Sequence, residues 1–333
     1  MRFFVRFFVR VLLCGVFLFS LLFNCLSLCA HTDSDISGAR EYIISSLYEM
    51  SDGIDIGKFN IQKSQLLPLF TEILKNNPYL FFVGTSAGYR ASADGRILTL
   101  YPSYTMTPQE YQTARYFCER QISQALTLTA GLENGEEIAL YLHDYLCLNF
   151  SYDESLECDN MYLFFKEGRG TCQGYTYAYM AILRAAGIEC TFAASDTMAH
   201  IWNIVKIDGD WYHVDVTWDD YPEIFASCEH DSFLKSDKTI KNTAHIDWYS
   251  PNNILCDSEK YSETEFDFPL LEFHGTGDVN CDGELDVLDL VLCNITKEKL
   301  PKNICFLNIS ADIDGDGALT DVDFALIKHK LLS

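Results

Sequence analysis

Near its C-terminus the chain carries the same short pattern twice: G-D-V-N-C-D-G-E-L-D-V-L-D from Gly277 and A-D-I-D-G-D-G-A-L-T-D-V-D from Ala311. Each copy has oxygen-bearing side chains at loop positions 1, 3, 5 and 9, a Gly at 6 and a carboxylate at 12. Ca2+ takes about 6–8 hard oxygen ligands, and this spacing wraps one turn of chain around such an ion. The Gly permits the bend. The first loop would bind through Asp278, Asn280, Asp282, the Glu284 carbonyl, Asp286 and Asp289. The second would use Asp312, Asp314, Asp316, the Ala318 carbonyl, Thr320 and Asp323. The spacing predicts a helix after each loop. Val287, Leu290, Val291 and Ile295 form the apolar stripe of one, and Val322, Phe324, Leu326, Ile327 and Leu331 that of the other. Gly275 and Gly277 leave no room for an entering helix, so the unit reads as loop–helix rather than helix–loop–helix.

The opposite end constrains location. Arg2, Arg6 and Arg10 precede an apolar run from Val11 to about Leu28, then Ala30 and a polar stretch. Residues 1–30 read as a signal peptide cleaved near Ala30, which makes the chain secreted and free of the membrane after cleavage; the rival reading is an uncleaved membrane anchor, for the run is nearly long enough to span a bilayer. Cleavage takes the net charge from -24 to -27. So acidic a chain is no nucleic-acid binder, because phosphates need Lys and Arg to neutralise them. Of 13 cysteines, Cys14, Cys25 and Cys29 lie in the leader; the spacing of the rest fits no zinc motif. Export permits disulfides, whereas an anaerobic host would keep the thiols reduced.

Between the ends, residues 31–135 read as a mixed α/β region. Helical spacing runs over 35–50 and 65–75, strands over 79–83 and 97–101, with an Asp94-Gly95 turn. Thr107, Pro108 and Glu110 have the order of a capped helix start. Residues 136–250 carry the chemistry, 251–276 read as a linker, and 277–333 form the terminal module.

In G-R-G-T-C-Q-G-Y (168–175), Cys172 falls at the start of a helix. There the dipole and free backbone N–H groups favour a thiolate and could hold an oxyanion. The segment from His200 to Trp218 predicts a strand, an Asp208-Gly209 turn and a second strand. If Ile207 pairs with Asp210, then His200 faces Thr217 and Trp202 faces Asp215. His200 and Asp215 then share a face as diagonal neighbours, about 7–8 Å apart in backbone terms. Thiol, base and orienting carboxylate make a nucleophilic constellation. Asp219-Asp220 reads as a carboxylate pair for a basic substrate group or as a solvated strand end, and Tyr152 as a second oxyanion donor or as packing against the helix.

The terminal repeat, Gly277 to Leu332, resembles the dockerin family, with both loops matching at every ligand position. That resemblance implies two Ca2+ sites and a cohesin domain on a scaffold protein as partner, as in cellulosomes. The partner-reading positions 10 and 11 are Val287-Leu288 and Asp321-Val322, where many dockerins have a Ser/Thr pair. The stretches L-H-D-Y-L-x-L-N-F-S-Y-D (142–153), G-T-C-Q-G-Y (170–175), H-I-W-N-I-V (200–205) and D-G-D-W-Y-H-V-D-V-T-W-D-D (208–220) resemble the transglutaminase-like cysteine hydrolases, which have a papain-like core. This resemblance implies Cys172 as nucleophile, His200 as base and acid, and Asp215 as orienting carboxylate, acting on a peptide or protein substrate.

The expected fold is α+β: a papain/transglutaminase-like core, a mixed N-terminal region and an all-α calcium-binding dockerin. The expected function is a secreted, scaffold-docked, complex- or cell-surface-associated cysteine hydrolase or acyl transferase. The alternative is a catalytically idle binding module of such a complex. Polysaccharide breakdown follows only from the company dockerins keep, since no paired-carboxylate cleft stands out.

Overall fold

A computed structural model of the protein describes residues 36–129, 132–220 and 228–266. Towards the C-terminus it describes 277, 279, 285–299, 311, 313 and 320–332. No helix among the described residues is long and apolar enough to cross a membrane. The chain divides into two compact units, the described parts of Met1–Leu74 with Val83–Thr105, and of Lys75–Phe82 with Met106–Ser333.

The first unit sets helices against an antiparallel sheet. Helix α1 (36–48) buries Ala39, Ile43 and Leu47 at four-residue spacing. Helix α2 (Lys63–Lys75) buries Leu66, Leu69, Phe70 and Ile73. The sheet runs β1 (Ile54–Asp55), β3 (Ile97–Tyr104), β2 (Val83–Ala91). Gly95, at φ +85°, makes the expected turn between β2 and β3. The strand expected at 79–83 is not there: Pro78–Leu80 form a 3-10 turn and β2 begins at Val83. Pro78 has a fixed φ and no N–H for a ladder, so it opens a turn instead.

The second unit is built on one buried helix. Helix α6 (Cys172–Ala185) buries residues on nearly every side, from Gly174 through Leu183. On one side lies the antiparallel sheet β6 (Cys190–Ser195), β7 (His200–Ile207), β8 (Asp210–Val214). Around the rest pack α3 (Pro108–Thr127), α4 (Gly135–Asn149) and α5 (Met161–Glu167). Thr107 caps α3: its side chain accepts from the Glu110 N–H, and the Glu110 carboxylate accepts from the Thr107 N–H. Of residues 251–276, expected as a linker, the described part, 251–266, packs onto this unit: Tyr261 joins the core around α6, and Cys256 is buried in a smaller cluster with Trp202. Their aromatic and thiol side chains supply apolar surface, which outweighs the acidic residues between them.

In the terminal module, Val279, Cys293, Ala311 and Ile327 form a small core with Leu285, Leu290, Ile313, Phe324 and Leu331. Helix α8 (Val287–Lys299) and the last helix, Asp321–Leu332, supply most of it. The expected stripes are only half buried, for Val287, Val291, Val322 and Leu326 are exposed.

Candidate active site

Cys172 is the first residue of α6, as its sequence context predicts. The approach is fixed by close packing. Gly168 closes α5 in the left-handed region at φ +68°. Strand β5 (Arg169–Gly170) then pairs in parallel with β4 (Ser151–Tyr152). A Cβ on Gly170 would fall 2.4 Å from Phe164 Cδ2, and one on Gly174 2.9 Å from the Cys158 carbonyl. The loop between is gathered by Asp153, whose carboxylate accepts from the N–H groups of Ser155, Glu157 and Cys158. Thr171 N–H donates to the Cys158 carbonyl at 2.9 Å. The Thr171 side chain makes no cap bond, so it does not occupy the N-terminal amides of α6.

His200 opens β7. The hairpin register is the expected one, with Ile207 opposite Asp210 and Asn203 opposite Val214. Asp208 (φ +53°) and Gly209 (φ +94°) form the two-residue turn. The ladder stops at Val214, however, so Asp215 does not pair with Trp202 nor Thr217 with His200. The Asp215 N–H donates instead to the Ser232 carbonyl, and Asp215 caps the short helix α7 (Val216–Asp219). Its Oδ1 accepts from the N–H groups of Thr217 and Trp218. A carboxylate at a helix start satisfies backbone N–H groups that have no partner within the helix. The turn brings Oδ2 to 2.5 Å from His200 Nε2. Nε2–H must donate to the carboxylate, which leaves Nδ1 as the ring nitrogen for Cys172.

Sequence reasoning missed His245. It is fully buried, and its Nε2 donates to the same Asp215 Oδ2 at 2.9 Å, while Nδ1 lies 2.9 Å from Thr243 Oγ1. No motif marks it; the one available signal is that His is scarce in this chain, with 8 in all. The His200 ring stacks between Trp202 and Trp218, at 5.6 and 5.1 Å between centroids. Trp202 is buried and donates its Nε1–H to His213 Nδ1, and Trp218 is half exposed beside the site.

Burial works against charge on His200, but the Asp215 charge, its hydrogen bond and the contact with Cys172 together raise the imidazole to about 10. Burial likewise opposes the Asp215 anion, and His200 and His245 overcome it, holding that carboxyl well below the usual range. At neutral pH the pair is therefore imidazolium and carboxylate.

The structure thus gathers Cys172, His200 and Asp215 at one place. Asp219 and Asp220, read as a site for a basic group, turn inward: Asp219 Oδ2 accepts from His143 Nε2 at 3.2 Å, and Asp220 accepts from the Tyr175 hydroxyl. Tyr152 packs half-buried against the core. The eight cysteines among the described residues are all free thiols.

Of the predicted calcium ligands, Asp286, Asp289, Thr320 and Asp323 are described. Asp278, Asn280, Asp282, Glu284, Asp312, Asp314, Asp316 and Ala318 lie outside the described residues, as does the predicted signal peptide. The two position-12 carboxylates are buried and turned onto their own loops. Asp289 accepts from the Asp286 N–H at 2.8 Å, and Asp323 from the Thr320 N–H at 2.7 Å and the Ile313 N–H at 3.0 Å.

Residues 121–216 match the family model of the transglutaminase-like superfamily. No curated protein matches the chain. Among solved structures it is similar to a TGase, at 11% identity and a TM-score of 0.29, over 41% of this chain and 45% of that one. It is also similar to a candidate protease from Parabacteroides distasonis, at 15% identity and a TM-score of 0.23, over 39% of this chain and 35% of that one. The chain thus spans less than half the length of either. Residues 121–216, which run from the middle of α3 into α7, form a transglutaminase-like domain within an α+β protein.

Proposed function

We propose that this domain is a cysteine hydrolase or acyl transferase that acts on peptide or side-chain amide bonds through Cys172, His200 and Asp215. The observation that carries this reading is the 2.5 Å contact of His200 Nε2 with Asp215 beside a cysteine that opens a buried helix. In the reaction the Cys172 thiolate, its proton held on His200 Nδ1, attacks the amide carbonyl carbon. The oxyanion sits at the N-terminal amides of α6. His200 returns the proton to the leaving nitrogen, the C–N bond breaks, and a thioester remains. Water or a primary amine, losing a proton to His200, then displaces Cys172. Asp215 keeps the Nε2 proton in place throughout, and Trp202 and Trp218 hold the ring plane.

The proposal includes export and docking. The terminal module is read as a dockerin that two Ca2+ ions order and that binds a cohesin on a scaffold. Its fit to calcium is supported by the two buried carboxylates at position 12, Asp289 and Asp323. Asp286 and Thr320 stand at position 9 of the same loops. The ions would supply order, not chemistry. The exposed apolar side chains of Val287, Leu288, Val291 and Val322 are what a protein partner would cover.

The test compares the protein with Cys172→Ala on a denatured peptide library plus a labelled primary amine, read by mass spectrometry. Cleavage or amine incorporation by the wild type alone is expected, and which of the two occurs identifies the acceptor. Identical spectra from both proteins would overturn the reading.

A further inference from the structure

Behind the proposed active site lies a second polar centre that the reaction does not use. His143, Asp144 and Cys147 come from α4, and Cys228 and His230 from the segment beyond α7. Asp144 Oδ1 lies 2.9 Å from His143 Nδ1, 2.8 Å from His230 Nε2 and 3.4 Å from Cys228 Sγ; Cys228 Sγ is 3.5 Å from His143 Nδ1. His143, Asp144 and Cys228 are buried, and His230 is nearly so.

The outer nitrogen of each ring is already committed. His143 Nε2 faces the Asp219 carboxylate, and His230 Nδ1 faces the Phe266 carbonyl at 3.1 Å. Both partners only accept, so both outer nitrogens carry hydrogen. In the neutral rings the inner nitrogens are then bare lone pairs, and both point at a carboxylate oxygen, an acceptor. Without a cation there, the hydrogens between these groups come only from the Cys228 thiol, 3.5 Å from His143 Nδ1, or from protonation of the rings or of Asp144. Meanwhile Asp144 Oδ2 is buried with no hydrogen-bond partner. By contrast, His213 is satisfied as a neutral ring: its Nδ1 accepts from Trp202, and its Nε2 donates to Asp237.

We propose that His143 Nδ1, Asp144, Cys228 Sγ and His230 Nε2 are the ligands of a zinc-class metal ion. A tetrahedral zinc with bonds of about 2.0–2.3 Å separates its ligand atoms by roughly 3.3–3.6 Å. Two of the three sulfur edges already have that length, the two carboxylate–imidazole edges need only open by a few tenths of an ångström, and all four ligand atoms lie within 4.8 Å of one another. The donor set of two imidazoles, a thiolate and a carboxylate selects zinc over calcium. Asp219 and the Phe266 carbonyl are the outer partners that orient metal-binding histidines. On uptake the Cys228 thiol releases its proton to solvent, with any proton bridging Asp144 to the rings. The thiolate and carboxylate then neutralise the dication. The ion would tie α4 to the segment after α7 and so hold in place the turn that carries Asp215.

The test uses the full chain with Cys172→Ala, so that the active-site thiol cannot contribute. After zinc loading and desalting, about one tightly held zinc per chain is expected. X-ray absorption at the zinc edge should show sulfur at about 2.3 Å with lighter atoms at about 2.0 Å. Cobalt substitution should give a thiolate charge-transfer band that Cys228→Ser removes. Asp219→Asn, which keeps all four ligands, should weaken binding by about 10- to 100-fold. Less than about a tenth of an equivalent of zinc, a sulfur-free shell, a band that persists in Cys228→Ser, or a Cys147–Cys228 disulfide in the purified protein would each overturn the site. The zinc content and absorption spectrum of the parent protein decide the matter even if Cys228→Ser does not fold.

Discussion

His245 and His200 share one carboxylate oxygen: both Nε2 atoms point at Asp215 Oδ2, at 2.9 and 2.5 Å. His245 touches no reacting atom in the proposed chemistry, so it acts by positioning. His245→Ala should lower kcat about tenfold, since a buried ion loses a hydrogen bond worth roughly 1.5–3 kcal/mol, with KM little changed. His245 also helps to hold the Asp215 carboxyl low, so the acid limb of the pH–rate profile should move to higher pH. An unmoved profile would leave His245 with a packing role only.

The His200–Asp215 pair predicts a pH dependence of stability. The folded imidazole lies near 10, above its ordinary value. A raised pKa contributes stability that is fully present below the unfolded value of about 6.5 and is lost as pH rises through the folded value. Wild type should therefore lose up to a few kcal/mol between about pH 6.5 and 10, measured as urea midpoints. His200→Gln should flatten that slope; an unchanged slope would assign it to other groups.

At the start of α6, Gly174→Ala should cost roughly 1–3 kcal/mol. The added methyl meets the Cys158 carbonyl and the Phe164 ring, both held by their own packing. Because this loop leads directly to Cys172, kcat should fall with stability, while Gly187→Ala, where a Cβ meets nothing but φ is +82°, should cost roughly 1–2 kcal/mol of stability and no activity. Thermal melts and progress curves on both variants separate these outcomes.

Removing calcium should loosen only the terminal module. Chelation of the intact protein should expose 277–333 to protease and leave the core resistant, and Asp289→Ala with Asp323→Ala should reproduce this in the presence of calcium. Equal protease resistance with and without chelator would refute the two loop assignments.

What could be read from sequence divides by range. The Thr107–Glu110 capping box, the Asp208-Gly209 turn and the placement of Cys172 depend on residues within one turn of each other, and all three stand in the structure as expected. The path of the chain after Val214 was not legible, because the bond that diverts Asp215 comes from Ser232 and the cap bonds come from its own turn. The extended pairing therefore put Asp215 opposite Trp202, although the two catalytic candidates still meet. The partners of Asp144 and Asp215 were hidden for the same reason: His230 and His245 lie 86 and 30 residues from the carboxylates they contact. Pro78 is legible in the sequence, and its missing N–H argues for a turn rather than the strand expected across 79–83.

Helix α7 is a single turn, yet Asp215 caps its start and Asp219, near its end, contacts His143. The proposed reaction and the buried polar centre therefore share one small piece of backbone, with almost no slack between them. Substitutions that tilt this turn will register at both centres at once, whichever they were aimed at. Variation in substrate preference is then expected to collect in the surrounding loops, while these few residues tolerate almost no exchange.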